Sequence, residues 1–408
     1  MLDRPLRVRV ITGTRAEYGL FRPLLALLDA DPGFELALLV TAAHLDPRFG
    51  LTVTEIEADG YRIAARIPIP LDDDSELGIT RATSAAIAGF GQALDSDRPD
   101  FTILLGDRFE TLAAAVACMF ARVPIVHLHG GELTLGAVDD VIRHAITKMS
   151  YLHFTSTEEY RRRVIQLGED PSRVWAVGAM GVDNALNLPR STRAELEADL
   201  GQVFGIRTAV VTYHPVTLEC ATAENNMREL LSALDRFEDL NVVFTLPNAD
   251  PGNAAIFEAT EAYVLAHPKR AWAFASLGAQ RYLSLAQEAD VVVGNSSSGV
   301  IEAPSLGTPS VDIGDRQYGR VRGPSVLHAS PDADSIASAI RRALSPELQR
   351  VAALRENPNG DGHAADRIAA ILREQAPRLG EVKKSFRDIP LSVAENPAAA
   401  DPADEGDA

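Results

Sequence analysis

Seven short polar segments, most of them containing glycine, follow apolar, β-branched runs of this 408-residue chain. The most informative is 294–299, Gly-Asn-Ser-Ser-Ser-Gly, which follows the run 290–293 and precedes a helix-compatible stretch at 300–303. A strand, a turn of small hydroxyl residues and a helix start leave backbone N–H groups without intrahelical partners, and these donors favour a phosphate. For this segment alone, a serine-rich turn that merely caps a helix is the alternative.

The other six segments divide by chemistry between the two halves of the chain. They are 13–17, 106–110, 127–132, 213–215, 247–250 and 314–320. The second half offers hydroxyl groups, His214 and Arg316, a set suited to a nucleotide diphosphate. The first half offers carboxylates and histidines, namely Asp107, His127, His129, Glu132, Asp139 and His144. Two carboxyl groups that can act as acid and base are what proton abstraction beside a leaving group requires.

The segment 139–144 pairs Asp139 with Arg143, and Asp140 with His144, four residues apart on one predicted helix. A salt-bridged helix N-terminus is the structural alternative to an acid–base role there.

A zinc site is a second alternative for the histidines. His127 and His129 could ligate zinc with His144 or His153, but alternate residues of a strand point to opposite faces of the sheet. No companion spacing is diagnostic of a metal, and His153 lies in an apolar run typical of a packed strand. We therefore predict no metal site.

Strand-like and helix-like runs alternate in two series, which predicts an α/β protein with two doubly wound, parallel-sheet, Rossmann-like domains. The first strands are 7–13, 34–42, 61–69, 101–106, 125–129, 151–156 and 174–178. The second are 208–213, 241–246, 271–275, 290–294, 309–313 and 326–329, and the join falls near 184–201. Ligands bind at the carboxyl ends of such strands. The seven polar segments therefore predict one cleft between the domains.

Composition excludes several classes of protein. The net charge of −18 and the lack of a basic stripe argue against nucleic acid as a partner. No apolar stretch approaches the ~20 residues needed to span a bilayer, and no signal peptide is recognisable, so we expect no membrane partner and a cytoplasmic location. Cys118 and Cys220 are expected to be free thiols. Residues 380–408 are predicted to form an acidic, disordered tail.

Taken together, the motifs resemble the hydrolysing UDP-N-acetylglucosamine 2-epimerases, which supply N-acetylmannosamine-type sugars for sialic and related nonulosonic acids. The resemblance spans roughly residues 7–375, in order. The matching segments are 13–19, 106–110, 129–132, 139–149, 212–215, 247–248, 294–299 and 314–317.

The resemblance implies a GT-B fold. It places an acid–base domain at 1–185, completed by a C-terminal helix at 362–376, and a nucleotide-binding domain at 186–361. It also implies a nucleotide-sugar substrate, no metal, no nicotinamide or other cofactor, and a homodimer or homotetramer.

The resemblance also assigns residue roles. A base removes the C2 proton of the sugar while the nucleotide diphosphate leaves C1, and water then adds to the resulting glycal with inversion at C2. Asp107 is the first acid–base candidate and Asp139 the second, with Arg143 beside them, and His214 neutralises the departing phosphate. The implied nucleotide-sugar contacts are Gly13, Arg15, Ala16, Arg108, His214, Asn248, Asp250, Ser296, Ser297, Gly299, Glu302 and Arg316, with Glu302 on the ribose.

Two departures from the family pattern concern proton transfer. His129 stands where some members carry a carboxylate. The role of that carboxylate therefore passes to Glu132, or His129 itself acts as the base. The spacing between Glu132 and Asp139 is one residue longer. Other functions remain open on the same fold: a glycosyltransferase, a non-hydrolysing 2-epimerase, or a silent sugar-nucleotide sensor. The sequence does not choose between UDP and GDP, or between N-acetylglucosamine and a 2,4-diacetamido-6-deoxy sugar.

Overall fold

The structure, a computed structural model, describes residues 4–134, 138–214, 223–246, 253–275, 277–375, 378–379 and 383–390. These residues form thirteen strands in two separate sheets. The first sheet contains β1 (Leu6–Thr12), β2 (Phe34–Thr41), β3 (Ile63–Ile67), β4 (Phe101–Leu105), β5 (Ile125–Leu128), β6 (Leu152–Thr155) and β7 (Val174–Ala176). The second contains β8 (Arg207–Thr212), β9 (Leu240–Thr245), β10 (Ala271–Phe274), β11 (Val291–Gly294), β12 (Ser310–Ile313) and β13 (Val326–Ala329).

Helices connect the strands in both halves. Those of the first half are α1 (Arg15–Asp29), α2 (Val53–Ala58), α3 (Glu76–Ser96), α4 (Phe109–Ala121), α5 (Val138–Met149), α6 (Glu158–Gln166) and α7 (Met180–Asn187). Next come α8 (Arg193–Leu200), α9 (Ala223–Leu234), α10 (Asn253–Ala266), α11 (Gly278–Glu288), α12 (Ser298–Ile301), α13 (Ala303–Leu306), α14 (Ala333–Ala343), α15 (Pro346–Ala353) and α16 (Ala364–Gln375).

Both sheets are parallel throughout, and in each the strand order reverses at a central pair of strands. The first runs β3-β2-β1-β4-β5-β6-β7 and the second β10-β9-β8-β11-β12-β13. This is the doubly wound order, in which the chain leaves neighbouring central strands towards opposite sides and opens a crevice at their carboxyl ends. Asp107 follows β4 and Ser296 follows β11, so both lie at such a point. The predicted two-domain α/β architecture is confirmed.

The strands appear in the sequence as apolar runs because they are buried on both faces of each sheet. In β1, Val8 and Val10 pack in one hydrophobic cluster, whereas Ile11 packs in another on the opposite face. The second sheet is likewise covered on two sides, by clusters that contain Val211 and Val210. Parallel sheets sandwiched between helices require this pattern.

The final helix returns to the first half of the chain. Ile368 and Leu372 of α16 are buried in the same cluster as the β1 residues. Asp183, in α7, accepts hydrogen bonds from the N–H groups of Ala364 and Ala365, at 2.9 and 2.7 Å, and so caps the helix. These contacts are consistent with the division into 1–185 with 362–376 and 186–361, which we keep as a proposal.

The predicted tail needs a correction over residues 383–390. Lys384 Nζ donates to the carboxylate of Glu169 at 2.9 Å and to the carbonyl of Ser150 at 2.7 Å, and the N–H of Arg387 donates to the carbonyl of Gly168 at 2.9 Å. This stretch therefore packs on the first domain, because its basic residues meet a buried carboxylate. Residues 391–408 lie outside the described residues.

Two smaller expectations concern the thiols and the membrane. Cys118 is a free, buried cysteine, and burial raises the pKa of its thiol to about 12. Cys220 lies outside the described residues. Among the helices that the structure describes, none has the length and apolar character needed to cross a bilayer.

Candidate active site

Asp107 and Arg143 form the centre of the site on the first domain. Asp107 follows β4, and its carboxylate receives a hydrogen bond from Nη2 of Arg143 on α5. The other terminal nitrogen of Arg143 donates to the carbonyl of His129 at 2.7 Å, which fixes the guanidinium. The Arg143 side chain is only 4% exposed, whereas that of Asp107 is 18% exposed. Asp107 is thus held by Arg143 and remains partly exposed.

Asp139 lies close enough to Asp107 for the two carboxyl groups to influence each other. Burial, together with the negative charge of Asp107, raises the pKa of Asp139 to about 6. The charges of Arg108, Arg316 and Arg143 act in the opposite direction. The structure therefore brings together the two predicted acid–base residues, and it adds an arginine from the second domain.

The two predicted pairs on α5 behave differently. Asp140 lies 3.7 Å from Nε2 of His144 and accepts the N–H of Thr134, in the segment before α5, at 2.8 Å. Arg143, in contrast, directs its guanidinium to Asp107 and the carbonyl of His129. Asp140 therefore fits the structural alternative, a salt-bridged helix N-terminus. Arg143 instead contributes to the candidate acid–base site.

His129 and Glu132 are turned away from open solvent. Nδ1 of His129 lies 2.9 Å from the Glu132 carboxylate, and Nε2 accepts the N–H of Met180 at 3.2 Å. Burial opposes ionisation of Glu132, but Arg320, His129 and Arg143 hold its pKa well below the usual range. Both ring nitrogens are engaged, and a carboxylate so stabilised is a weak base. The expectation that Glu132 or His129 transfers the proton finds no support in this arrangement.

His127 and His153 of the first domain are packed side chains. Both ring nitrogens of His127 have partners, Thr147 Oγ1 at 3.1 Å and the carbonyl of Gly106 at 2.9 Å, and burial lowers its pKa to about 3. His153 contacts Glu169 at 3.2 Å. Within the described parts of the chain, no group of three or more His, Cys, Asp or Glu residues is placed to hold a metal ion. The zinc alternative is not supported.

The backbone N–H groups of the glycine turn after β1 are bound by a side chain of α1, the helix that follows the turn. The N–H groups of Gly13 and Thr14 donate to Oε2 of Glu17 at 2.8 and 3.0 Å, in a capping box. A Cβ atom on Gly13 would lie 2.8 Å from the side chain of Glu110, so a larger residue here would force Glu110 to shift. These two backbone donors are therefore occupied, whereas the following residues, Arg15 and Ala16, are exposed.

Glu17 and Glu110 were not among the predicted site residues. Both are buried beneath the glycine turn, and Glu110 holds Nε of Arg108 at 2.6 Å. Burial and the charge of Glu110 raise the pKa of Glu17 to about 7. The spacing of Thr14 and Glu17 is a capping-box signal that could have revealed Glu17.

Asn295 organises the second-domain side of the cleft. Its side chain accepts the N–H of His214 at 2.7 Å and donates to the His214 carbonyl at 2.8 Å. Its own carbonyl accepts Nη1 of Arg316 at 3.0 Å. Asn295 thereby joins the loop after β8, the serine turn and the loop after β12, a role that the sequence prediction did not assign.

The helix that follows the serine turn, residues 294–299, differs from the prediction. Ser296 and Ser297 are partly exposed, and Gly299 is buried. The chain then forms α12 and α13, each of four residues and separated at Glu302, because Pro304 has no N–H to continue the first helix. The dipole of so short a helix is small. Phosphate binding here would depend on the N–H and hydroxyl groups of the turn more than on a helix dipole.

His214 and Glu302 carry unsatisfied atoms. Burial, and then the charge of Arg316, lowers the pKa of His214 to about 3, and its Nδ1 finds no hydrogen-bond partner among the described residues. Burial raises the pKa of Glu302, whose Oε2 is likewise unpaired within the described chain. Such atoms suit an additional partner. Asn248 and Asp250, also predicted here, lie outside the described residues.

Comparisons with known proteins find relatives of this chain in one family. A family model described as UDP-N-acetylglucosamine 2-epimerase matches residues 26–373. The chain is 39% identical to the GDP/UDP-N,N'-diacetylbacillosamine 2-epimerase (hydrolyzing) of Campylobacter jejuni, over 79% of this chain and 83% of the relative. It is 34% identical to the UDP-N,N'-diacetylbacillosamine 2-epimerase (hydrolyzing) of Legionella pneumophila, over 90% and 95% of the two chains.

A solved structure extends the comparison to the fold. The UDP-GlcNAc 2-epimerase of Neisseria meningitidis, bound to UDP-GlcNAc, superimposes with a TM-score of 0.76 over 90% of this chain and 100% of that chain. The two sequences are 17% identical, so this likeness concerns the fold. The predicted GT-B arrangement of two Rossmann-like domains is confirmed.

Proposed function

The chain belongs to the UDP-N-acetylglucosamine 2-epimerase family, and from this premise we propose that it is a hydrolysing 2-epimerase. Its substrate is a nucleoside-diphosphate-linked 2-acetamido sugar, and its products are the free 2-epimer and the nucleoside diphosphate. The two relatives at 39% and 34% identity bear names with the word hydrolyzing, which supports hydrolysis.

One observation carries the proposal: Asp107 and Asp139 lie together at the cleft, surrounded by arginines from both domains. Asp107 is held by Arg143, and Asp139 is close to Arg108 and Arg316. Two carboxyl groups in different environments can be acid and base at once, as epimerisation requires. Arginines beside them suit a diphosphate leaving group.

The first step is an elimination. Asp107 takes the proton from C2, the C1–O bond breaks, and its electron pair leaves with the diphosphate, so that C1 and C2 become joined by a double bond. Arg108 and Arg316 stabilise the charge that develops on the departing phosphate. A phosphate beside His214 would raise the pKa of this histidine from its low value and allow it to donate a hydrogen bond.

The second step is a hydration. Asp139, with its raised pKa, donates a proton to C2 from the opposite face while water oxygen bonds to C1. Asp139 recovers the proton that the water loses, and Asp107 releases the C2 proton to solvent. One water is consumed, and the sugar leaves with the opposite configuration at C2.

For the substrate, the names of the relatives favour a UDP- or GDP-linked 2,4-diacetamido-6-deoxy sugar, with UDP-N-acetylglucosamine as the second candidate. The test is a product assay by nuclear magnetic resonance with these three compounds. A free 2-epimer and nucleoside diphosphate from at least one of them is expected. An epimer that keeps its nucleotide, or a sugar transferred to an acceptor, would contradict the proposal.

A further inference from the structure

Arg320 of the second domain reaches into the first. It lies in the loop between β12 and β13, and its Nε donates to the carbonyl of Leu133 at 3.1 Å. Its Nη2 lies 3.3 Å from Oε2 of Glu132 and 3.4 Å from Thr134 Oγ1. The Arg320 side chain is 8% exposed, and that of Glu132 is 3% exposed. This is a buried ion pair between the domains.

The surrounding loop is shaped to the first domain. Gly319 has a φ of +78°, and a Cβ atom there would lie 2.8 Å from the side chain of Leu133. On the other side of Arg320, the N–H of Val321 donates to the hydroxyl of Tyr160 at 2.8 Å. Arg320 therefore reaches Glu132 only while this loop is docked on the first domain.

Glu132 also lies near the arginine that holds Asp107. Its Oε2, the oxygen that Arg320 contacts, is 4.0 Å from Nη1 of Arg143. Arg143 itself donates to Asp107. Two carboxylates of the first domain thus share one arginine, and Glu132 is also contacted by His129 of its own domain and by Arg320 of the second. A buried carboxylate without a cation is costly, so Glu132 without Arg320 would attract Arg143 more strongly.

We propose that Arg320 is a positioning residue that couples docking of the second domain to the arrangement of Asp107. When Arg320 neutralises Glu132, Arg143 is left to orient Asp107 for proton abstraction. When the loop is undocked, Arg143 turns towards Glu132, and Asp107 loses its support. The inference rests on the proposed function, in which Asp107 is the base.

A simple structural role for the ion pair makes a different prediction. If Arg320 only joined the domains, its loss would weaken UDP affinity together with kcat, whereas in the coupling UDP affinity stays near that of the parent. With a purely structural role, removing the charge of Glu132 as well would restore both UDP affinity and kcat. In the coupling described above, the same second change removes the competitor for Arg143. It should therefore restore activity to the Arg320 variant.

The test uses Arg320→Gln, Glu132→Gln and the double variant in the full chain, with UDP affinity and turnover measured for each. Arg320→Gln should lower kcat by about tenfold to a hundredfold, with the dissociation constant for UDP within about threefold of the parent. In the double variant kcat should return to within about threefold of Glu132→Gln alone. Arg320→Lys, which keeps the charge, should recover part of the turnover.

Arg322→Gln is the matched control. It lies on the same loop, but its guanidinium pairs with Asp312 of its own domain at 2.6 Å. Glu132→Gln should not restore activity to this variant, because Arg322 does not neutralise the charge of Glu132. Rescue of both arginine variants, unchanged kcat in Arg320→Gln, or no rescue of Arg320→Gln would each overturn the coupling.

A readout without substrate separates this inference from the proposed function. The thermal midpoints of the parent, the two single variants and the double variant should be non-additive, since the double variant no longer buries an unbalanced carboxylate. If the parent shows no turnover of any nucleotide sugar, the proposed function fails. The comparison of the four thermal midpoints still measures the interaction between Arg320 and Glu132. Additive midpoints would overturn the role of Arg320 at Glu132.

Discussion

Replacing Asp139 with asparagine should stabilise the protein at alkaline pH while it abolishes most of the activity. The pKa of Asp139 is raised to about 6 from 3.8, first by burial and then by the charge of Asp107. An acid whose pKa is higher in the folded state costs stability wherever it is ionised in both states. That cost is complete well above pH 6, shrinks as pH falls from about 6 towards 4, and disappears below that range.

The size of the effect follows from the same two values. A pKa difference of about two corresponds to about 3 kcal/mol of unfavourable free energy in the folded state. The difference already includes the favourable charges of Arg108, Arg316 and Arg143. Because the side chain is partly exposed, we halve the figure for screening by water, to about 1.5 kcal/mol. In a domain of this size that corresponds to a rise in the thermal midpoint of about 3–6 °C.

The assay is thermal unfolding of the parent and of Asp139→Asn at pH 8 and at pH 4.5. The gain at pH 4.5 should fall to about a third of that at pH 8, because the folded carboxyl is then protonated. Asp140→Asn is the control, since Asp140 accepts the N–H of Thr134 and lies beside His144. It should be neutral or slightly destabilising at pH 8. A midpoint of Asp139→Asn that is unchanged or lower at pH 8 would refute the reasoning.

Three further substitutions test other parts of the site. Asp107→Asn should lower kcat by about a hundredfold or more, since it removes the proton acceptor, and retained turnover would contradict that role. Calorimetry should show nearly parental UDP affinity for this variant. His214→Ala should weaken both UDP affinity and kcat, because a diphosphate contact serves the ground state and the transition state alike, and an effect on neither would exclude the contact. Gly13→Ala should cost about 1–3 kcal/mol, because its Cβ meets Glu110, and an unchanged thermal midpoint would show that Glu110 moves aside.

The strands of both domains could be predicted from sequence because parallel strands buried on both faces are almost continuously apolar. The run 326–329 coincides with β13, and 101–106 ends one residue beyond β4. The position of Asp107 followed from the same pattern, since it comes just after the end of β4, whereas Asp139 lies in α5 and its acid–base role was predicted from the family motif. In these segments local composition and final packing agree.

Other features depend on contacts between distant parts of the chain. Arg320 and Glu132 are far apart in sequence, and nothing in either local pattern indicates that they form a buried pair. The packing of Lys384 on Glu169 is similar, because the tail reads as polar until its partner is known. The interruption at Glu302 is different: Pro304 is visible in the sequence and predicts the break.

The proposed elimination is tested most directly by the hydrogen at C2 of the product. In deuterium oxide, the released sugar should carry one deuterium at C2 and the inverted configuration there, because the proton returns from an acid in exchange with solvent. The nucleoside diphosphate should appear in equal amount, and mass spectrometry with nuclear magnetic resonance reads both. A glycosyltransferase or a hydrolase acting only at C1 would leave C2 protiated with its original configuration. A product without deuterium at C2 would contradict the account.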